Sequence, residues 1–532
     1  MKRRAGKRRT VLAAVAALIT ASALSTGLAG PASADTECRI TKRPTIPGAT
    51  VTSMTAEQKS ANSLTKVPAH CEVTLNLTHE GVGDDVKVVV WLPSSDWNGR
   101  FQGTGGGGYS TGFMLGAFTQ FLTLGTAVQT LPGAVQQGYA AAATDGGIGF
   151  NPITPAPWAL KADGTVNKEL LTNFASRSIH DMTVAAKQVV TTFYGTPPSY
   201  SYFNGCSNGG RQALMEAQRH PTDYDGIIAS APAAAIDRFA PAGLWPQVVM
   251  NEAGRFPGSC VFNAFNDAAV HACDNDDKVA DGIISRPAEC GFDPRSMIGK
   301  QVKCGLQKKT ITAEDAEIVR RIWQGPVSAD GEPLGSGLPK QADFNVLAGN
   351  SPIALVEDWT KYFVEKDPSF DSSTITPERL EEVIRQSYAE YGDIVGADDP
   401  DLSAFKNAGG KMITWHGHAD PVIFAQGSVD YYQQVQKAMG GAQETSSFYR
   451  LFLAPGVGHC GLLGAGGPVP NDALVELVNW VEKGQAPATL PATVKKEGSD
   501  ITVTRNLCAY PQVASYKGQG DPNSADSYHC TT

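Results

Sequence analysis

The chain has 532 residues, 42% of them hydrophobic, with 44 Lys and Arg against 53 Asp and Glu. Its formal net charge of −9 argues against a nucleic-acid partner, whose phosphates call for a basic surface. This length exceeds one ordinary core and reads as a large domain carrying a substantial insertion.

Residues 1–34 read as a signal peptide. Lys2, Arg3, Arg4, Lys7, Arg8 and Arg9 precede the apolar run Val11 to Leu28, and Ala32-Ser33-Ala34 is an A-x-A cleavage site. The arginine pairs match only part of a twin-arginine signal, which favours the general secretory route. Cleavage removes those six cations and takes the formal charge from −9 to −15. No later run is long and apolar enough to span a bilayer, so a secreted, extracellular protein without a membrane partner is expected. In that setting ten cysteines read as five disulfides. Short separations point to Cys38–Cys71, Cys273–Cys290 and Cys508–Cys530, although sequence alone does not give connectivity.

Cys71 to Leu77 and Val86 to Leu92 read as a hairpin, with Gly81 and Gly83 between them. Arg100 to Gly103 leads into the run Gly105-Gly106-Gly107-Gly108, and Tyr139 to Thr144 is a buried-type strand. Leu170 to Tyr194 is a long helix candidate. Strand-like Tyr200 to Phe203, helix-like Arg211 to Arg219 and strand-like Gly226 to Ala229 follow. Lys411 to Trp415 and Tyr449 to Leu453 are apolar runs of strand length. Each precedes a helix candidate, Gln426 to Met439 and Asn471 to Lys483. A β-rich entry and then β-α repeats imply an α/β protein with a mostly parallel sheet and helices on both faces. Residues 233–408 break the rhythm with four cysteines, an acidic loop and irregular Gly/Pro-rich stretches. They read as an inserted lid domain between core segments 35–232 and 409–532.

Gly205-Cys206-Ser207-Asn208-Gly209-Gly210 reads G-x-S-x-G between a strand and a helix, the context of a nucleophile elbow. The competing reading is a plain Gly-rich turn. An elbow serine needs an acid and then a histidine, in that chain order. Asp420 follows one strand within His416-Gly417-His418-Ala419-Asp420, and His459 follows another within Gly458-His459-Cys460. Both lie beyond strand C-terminal ends, where such sheets collect their sites. His416 and His418 read as loop or supporting groups, and Asp430 is a rival acid in a helical setting. Asn208 and one glycine of 105–108, with Gly107 favoured, are the candidate oxyanion-hole donors. A phosphate loop is the rival for that glycine run, but the Lys-Ser/Thr ending is missing. If the triad assembles, Cys206 and Cys460 are brought together as a disulfide; two buried free thiols are the alternative.

Cys273-Asp274-Asn275-Asp276-Asp277-Lys278-Val279-Ala280-Asp281-Gly282-Ile283 concentrates four aspartates in eight residues. Hard oxygen ligands in a loop suit calcium, although the pattern is no EF-hand and a solvated acidic turn is the alternative. Such an ion is expected to be structural, since nothing in the sequence brings it near Ser207.

These motifs together resemble the tannase and feruloyl esterase family of secreted α/β-hydrolases, which also includes mono(2-hydroxyethyl) terephthalate hydrolase. The carrying residues are Gly-Cys-Ser-x-Gly-Gly at 205–210, His-Gly-x-x-Asp at 416–420 and Gly-His-Cys at 458–460. The resemblance implies an α/β-hydrolase fold with a lid and a Cys206–Cys460 bond. It also implies a structural Ca2+ held by side chains of Asp274, Asp277 and Asp281 and carbonyls of Val279 and Ile283. Lys278 stands where the family has the first glycine of that loop. The family often has a cysteine shortly after the one matching Cys304. Here Lys309-Thr310 stand there, which by the resemblance leaves Cys304 to Cys260. The implied activity is serine-dependent hydrolysis of aromatic-acid esters, feruloyl esters of plant cell-wall polysaccharide first. Galloyl esters or a terephthalate monoester are the alternatives, and no organic cofactor is needed. Trp245, Trp359, Tyr362 and Phe363 are candidate pocket walls, against the plainer reading of core aromatics. A binding module on a dead hydrolase fold is the hypothesis from another class, and its mark would be a missing triad member. The sequence assigns no oligomeric state.

Overall fold

A computed structural model describes residues 38–112, 129–464, 466–496 and 498–532. The expected signal peptide lies outside the described residues. The strands of the central sheet that precede the insertion are β1 (Ala49–Lys59), β2 (His70–His79), β3 (Val86–Pro93), β4 (Arg100–Thr104), β5 (Ala140–Thr144), β6 (Tyr200–Cys206) and β7 (Gly226–Ser230). A small hairpin, β8 (Gln301–Cys304) and β9 (Gln307–Thr310), belongs to the insertion. Then β10 (Lys411–Gly417) and β11 (Tyr449–Ala454) complete a nine-stranded sheet of order β1-β2-β3-β5-β4-β6-β7-β10-β11. Its first pairings are antiparallel, and from β5 onward every pairing is parallel.

The alternation of side chains divides two cores across this sheet. Val88, Val90 and Leu92 of β3 face one layer, with Met182 and Val189 of helix α1 (Ser178–Tyr194) and Leu214 of helix α2 (Asn208–Arg219). Tyr432 and Val435 of helix α3 (Ala425–Ala438) join that layer. Val89 and Trp91 face the other layer, with Leu474, Leu477 and Trp480 of helix α4 (Ala473–Lys483). The alanines of β5 are all buried, and their small side chains let both layers approach closely. Short antiparallel strands close the chain: β12 (Val469–Pro470), β13 (Thr489–Lys495) and β14 (Thr502–Cys508) in one sheet, and β15 (Val513–Tyr516) with β16 (Tyr528–Thr531) in another.

The long helix expected from Leu170 to Tyr194 is present, with a π turn inside it. Lys168–Thr172 is α-helical, Asn173–Arg177 forms a π turn, and α1 follows. Side chains take backbone carbonyls of the π turn. Ser178 Oγ donates to Asn173 O, and the buried Arg211 guanidinium takes the carbonyls of Phe174 and Ala175.

Between β7 and β10 the chain leaves the sheet, yet the two strands pair directly in parallel register. The excursion builds its own cores. One gathers Trp245, Phe262, Phe265, Val319 and Phe344. Another gathers Trp359, Phe363 and Tyr391 with Tyr109 and Trp158 from the sheet side. Trp245, Trp359 and Phe363 are therefore core residues. The indole N–H of Trp245 donates to Arg321 O and that of Trp359 to Ser387 Oγ. Of the four candidate wall aromatics, Tyr362 alone keeps partial exposure.

Five disulfides join Cys38–Cys71, Cys206–Cys460, Cys260–Cys304, Cys273–Cys290 and Cys508–Cys530.

Candidate active site

β6 ends at Cys206 and α2 begins at Asn208, so Ser207 alone makes the turn. Its φ of 65° and ψ of −123° are a conformation that L-residues rarely adopt, at a cost of about 1–3 kcal/mol. The surrounding backbone holds it there. Ser207 N donates to Ser230 O, and Ser207 O accepts from Ala233 N and Arg211 N. A Cβ on Gly205 would lie 2.5 Å from the Gly209 carbonyl group, so strand and helix meet too closely for any side chain.

The glycine run after β4 is clamped onto α2. Gly209 N donates to Gly106 O, and Gly106 N to Gln212 Oε1. These bonds leave the amides of Gly107 and Asn208 out of the clamp. Added Cβ atoms would strike neighbouring backbone at Gly105, Gly106 and Gly108, at 2.6, 2.0 and 1.9 Å. At Gly107 a Cβ meets no atom of the described residues within 4 Å, so among them this position borders open space. The Asn208 side chain is locked, since its Nδ2 donates to Ser110 O and its Oδ1 accepts from Arg211 Nε.

Asp420 is fully buried in the loop after β10. Its Oδ1 accepts from the amides of Val422 and Ile423, both at 2.9 Å. Its Oδ2 lies 2.7 Å from His459 Nδ1 and 3.2 Å from His416 Nε2. Burial by itself raises the Asp420 carboxyl. The facing His459 charge and the hydrogen bonds from His416 and His459 outweigh burial and hold it well below the usual carboxylate range. His459 sits in a tight turn after β11, 17% exposed, with its Nδ1 committed to Asp420. The rival acid Asp430 lies on α3 and accepts from Gln426 Nε2.

Cys206 and Cys460 are disulfide-bonded with Cα atoms 6.0 Å apart. Each adjoins a predicted site residue, so the bond holds the Ser207 turn against the His459 turn. The structure thus brings Ser207, Asp420, His459, Asn208 and Gly107 to one end of the sheet.

Two further groups support the site: His416, which the sequence read as a loop or supporting group, and Arg211, which it did not single out. His416 is a buried β10 residue whose ring bridges Asp420, the Ile423 carbonyl at 2.8 Å and Ser428 Oγ at 2.8 Å. Arg211 is fully buried beneath the turn and ties Asn208 to the π turn. The spacing of His416 to Asp420 was a visible signal; nothing in sequence marks a buried arginine on an amphipathic helix.

The acidic loop presents oxygen donors only. Asp274 Oδ1 accepts from the amides of Asp281, Gly282 and Ile283, and Asp277 Oδ1 from Val279 N. Burial raises the Asp281 carboxyl. Arg505, 3.1 Å away, opposes that shift, while the charges of Asp277 and Asp274 add to it. Aspartate oxygens converging in a half-buried loop fit a hard cation. Lys278 adopts φ 70°, the left-handed conformation that a glycine takes without strain. The loop also touches the site's own scaffold: a Cβ on Gly456, in the His459 loop, would lie 3.1 Å from Ile283 Cγ1 and Cγ2. The acidic loop is therefore nearer the site than the sequence indicated.

A family model described as tannase and feruloyl esterase matches residues 71–531. A probable feruloyl esterase of Arthroderma benhamiae is 45% identical over 93% of this chain and 93% of its own. The mono(2-hydroxyethyl) terephthalate hydrolase of Piscinibacter sakaiensis is 31% identical over 88% of this chain and 86% of its own. Among solved structures, a tannin acyl hydrolase from Aspergillus niger superposes with a TM-score of 0.81 at 28% identity, covering 92% of each chain. With an α/β-hydrolase sheet, an elbow at residue 207 and these relatives along nearly its whole length, the chain belongs to the tannase and feruloyl esterase family of carboxylic ester hydrolases.

Proposed function

We propose that Ser207 is the nucleophile, His459 the general base and Asp420 its orienting acid, in an exported esterase for aromatic carboxylic acids. The observation that carries the assignment is the pairing of Cys206 with Cys460, which seats the Ser207 turn beside a histidine already bonded to Asp420. His459 Nε2 takes the Ser207 proton as Oγ attacks the ester carbonyl. The amides of Gly107 and Asn208 stabilise the oxyanion. The tetrahedral intermediate expels the alcohol, which leaves with the proton from His459. Water, deprotonated by the same imidazole, then releases the acid from Ser207. Buried Asp420, kept ionised, holds the imidazole tautomer and stabilises the imidazolium.

Feruloyl esters of plant cell-wall polysaccharide are the first substrate class, supported by the 45% identical relative named for that activity. Galloyl esters and a terephthalate monoester come second, supported by relatives of those names. Export is supported by residues 1–34, and no described helix is long and apolar enough to cross a membrane. Ca2+ held by Asp274, Asp277, Asp281 and the carbonyls of Val279 and Ile283 would neutralise the acidic loop and brace the insertion; it enters no chemical step.

The experiment compares methyl ferulate, methyl gallate and mono(2-hydroxyethyl) terephthalate with wild-type protein and Ser207→Ala. Turnover of methyl ferulate, abolished in the variant with its fold intact, is expected. Appreciable turnover by Ser207→Ala refutes the nucleophile, and a preference for either other ester overturns the substrate class. No turnover of any ester by wild type favours the non-catalytic module.

A further inference from the structure

A second cluster of chemistry-bearing side chains lies at the far end of α2. His180 projects from α1, His220 caps the C-terminus of α2, and Asp223 follows in the next turn. One ring nitrogen from each histidine and one Asp223 oxygen lie within 4.8 Å of one another. The two imidazoles stack with centroids 3.9 Å apart and planes 12° apart, so one ring must turn for both lone pairs to meet one ion, and His180 Nδ1 is 2.6 Å from Asp223 Oδ2. The triad proposal uses none of these groups. Ser207 precedes the first residue of α2 and His220 follows its last, so a 12-residue helix of about 18 Å separates the two places.

We propose that His180, His220 and Asp223 bind one divalent transition-metal ion of the zinc class. Two imidazoles and one carboxylate are the borderline donor set that such ions prefer, and calcium or magnesium would find too few oxygens here.

A second, independent feature points to the same cation. Glu216, on α2, is 1% exposed, and neither of its carboxyl oxygens accepts a hydrogen bond from an N–H or O–H donor. The charges facing it are the Asp223 and Asp181 carboxylates and the Lys187 ammonium. A buried, unpartnered acid beside further carboxylates is costly unless enough cationic charge completes the cluster. The Lys187 ammonium is turned onto the Asp223 main-chain carbonyl. On binding, the proton held between His180 and Asp223 is released to solvent as both become ligands. The ion would tie α1 to the loop after α2 without reaching the ester.

The test begins with full-length protein stripped of metals and resupplied with millimolar Ca2+, so that the acidic loop does not compete. Titration with Zn2+ alone should show one ion per chain, and Co2+ alone should give visible d–d bands. Zn2+ in excess should raise Tm by about 2 °C or more by preferential binding to the folded state. His180→Ala and His220→Ala should each weaken Zn2+ binding by about 30-fold or more and abolish the Tm rise. Turnover of a p-nitrophenyl ester should stay within about two-fold, because no step proposed for Ser207 passes through this cluster. Equal Zn2+ affinity in wild type and both variants, or no stoichiometric binding, overturns the site. If the variants do not fold, zinc-edge anomalous diffraction from wild-type crystals decides. A peak between His180, His220 and Asp223 supports it, and a peak elsewhere or none overturns it.

Discussion

Cys206 and Cys460 form one covalent bridge between the residue before Ser207 and the residue after His459. The bridge spans 254 residues of sequence, so it limits the unfolded chain as well as the site, by about 5 kcal/mol in the chain-entropy model. Paired replacement, Cys206→Ala with Cys460→Ala, should lower Tm and reduce kcat by about 100-fold, with a smaller change in KM. The two turns would then sample geometries in which the imidazole no longer meets Oγ. Steady-state kinetics on a p-nitrophenyl ester give the answer, and wild-type kcat in the bridgeless protein would remove the positioning role.

His416 holds Asp420 from behind through its ring nitrogen and anchors itself on Ile423 O and Ser428. His416→Ala should lower kcat by about 10–100-fold through a misplaced carboxylate. His416→Gln, which can still donate to that carboxylate, should recover part of the loss. Equal activity of both variants would show that the histidine is packing alone.

Gly105 and Gly107 stand two residues apart and should respond differently to the same methyl group. Gly105→Ala sets its methyl 2.6 Å from the Gly209 backbone and should destabilise the fold by about 1–3 kcal/mol. Gly107→Ala enters open space, so its Tm should stay close to wild type while ester turnover falls, because the added methyl stands where substrate approaches. Thermal melts and kcat/KM on the two variants separate these outcomes. A Gly107→Ala enzyme with full activity would exclude that amide's neighbourhood from substrate contact.

Asp237 is buried at the start of the insertion, and burial pushes its carboxyl up to about 6; Arg238 opposes the shift and Asp398 adds to it. A raised folded-state value means that this group's stability contribution is complete below pH 3.8 and is lost as pH rises through 6. Asp237→Asn removes that titration, and Arg238 keeps Asp398 as an ionic partner. The stability of the variant relative to wild type should therefore rise by about 2–3 kcal/mol between pH 4 and pH 7. Urea unfolding at the two pH values measures it, and a pH-independent difference contradicts the ionisation.

The Ile283–Gly456 contact joins the acidic loop to the loop bearing His459. Calcium removal should accordingly lower both Tm and kcat, and readdition should restore both. Asp281→Asn should reproduce part of the loss even with calcium present, since it also weakens the ion pair with Arg505. Scanning calorimetry and initial rates, with and without chelator, check this. Unchanged Tm and rate after verified removal would leave the loop a solvated turn.

Much of the sheet was legible because its strands are short apolar runs bounded by glycines and polar loops. β6, β7, β10 and β11 all begin at the residue the pattern indicates and run one to three residues further. β1 was missed because it is an edge strand. It pairs only with β2 and leaves most of its polar side chains exposed, so no alternation marks it. The closing strands β12 to β16 are two to seven residues long and were equally silent. Trp359 and Phe363 read equally well as pocket wall or core. Only three-dimensional packing against Trp158 and Tyr391 distinguishes the two.

By itself the amino-acid order determined the chemistry on offer. It supplied a small-residue turn around one serine, an acid and a histidine after later strands, cysteines beside two of them, and a loop of aspartates. These are local properties, set by which side chains a turn tolerates and which groups can carry a proton or a charge. Tertiary structure decided which histidine faces the acid, which glycine borders open space, that His416 and Arg211 brace the turn, and that His180 meets His220 and Asp223. Those relations depend on segments distant along the chain arriving within a few ångströms of each other. Only the close packing of two layers on one twisted sheet selects such distances.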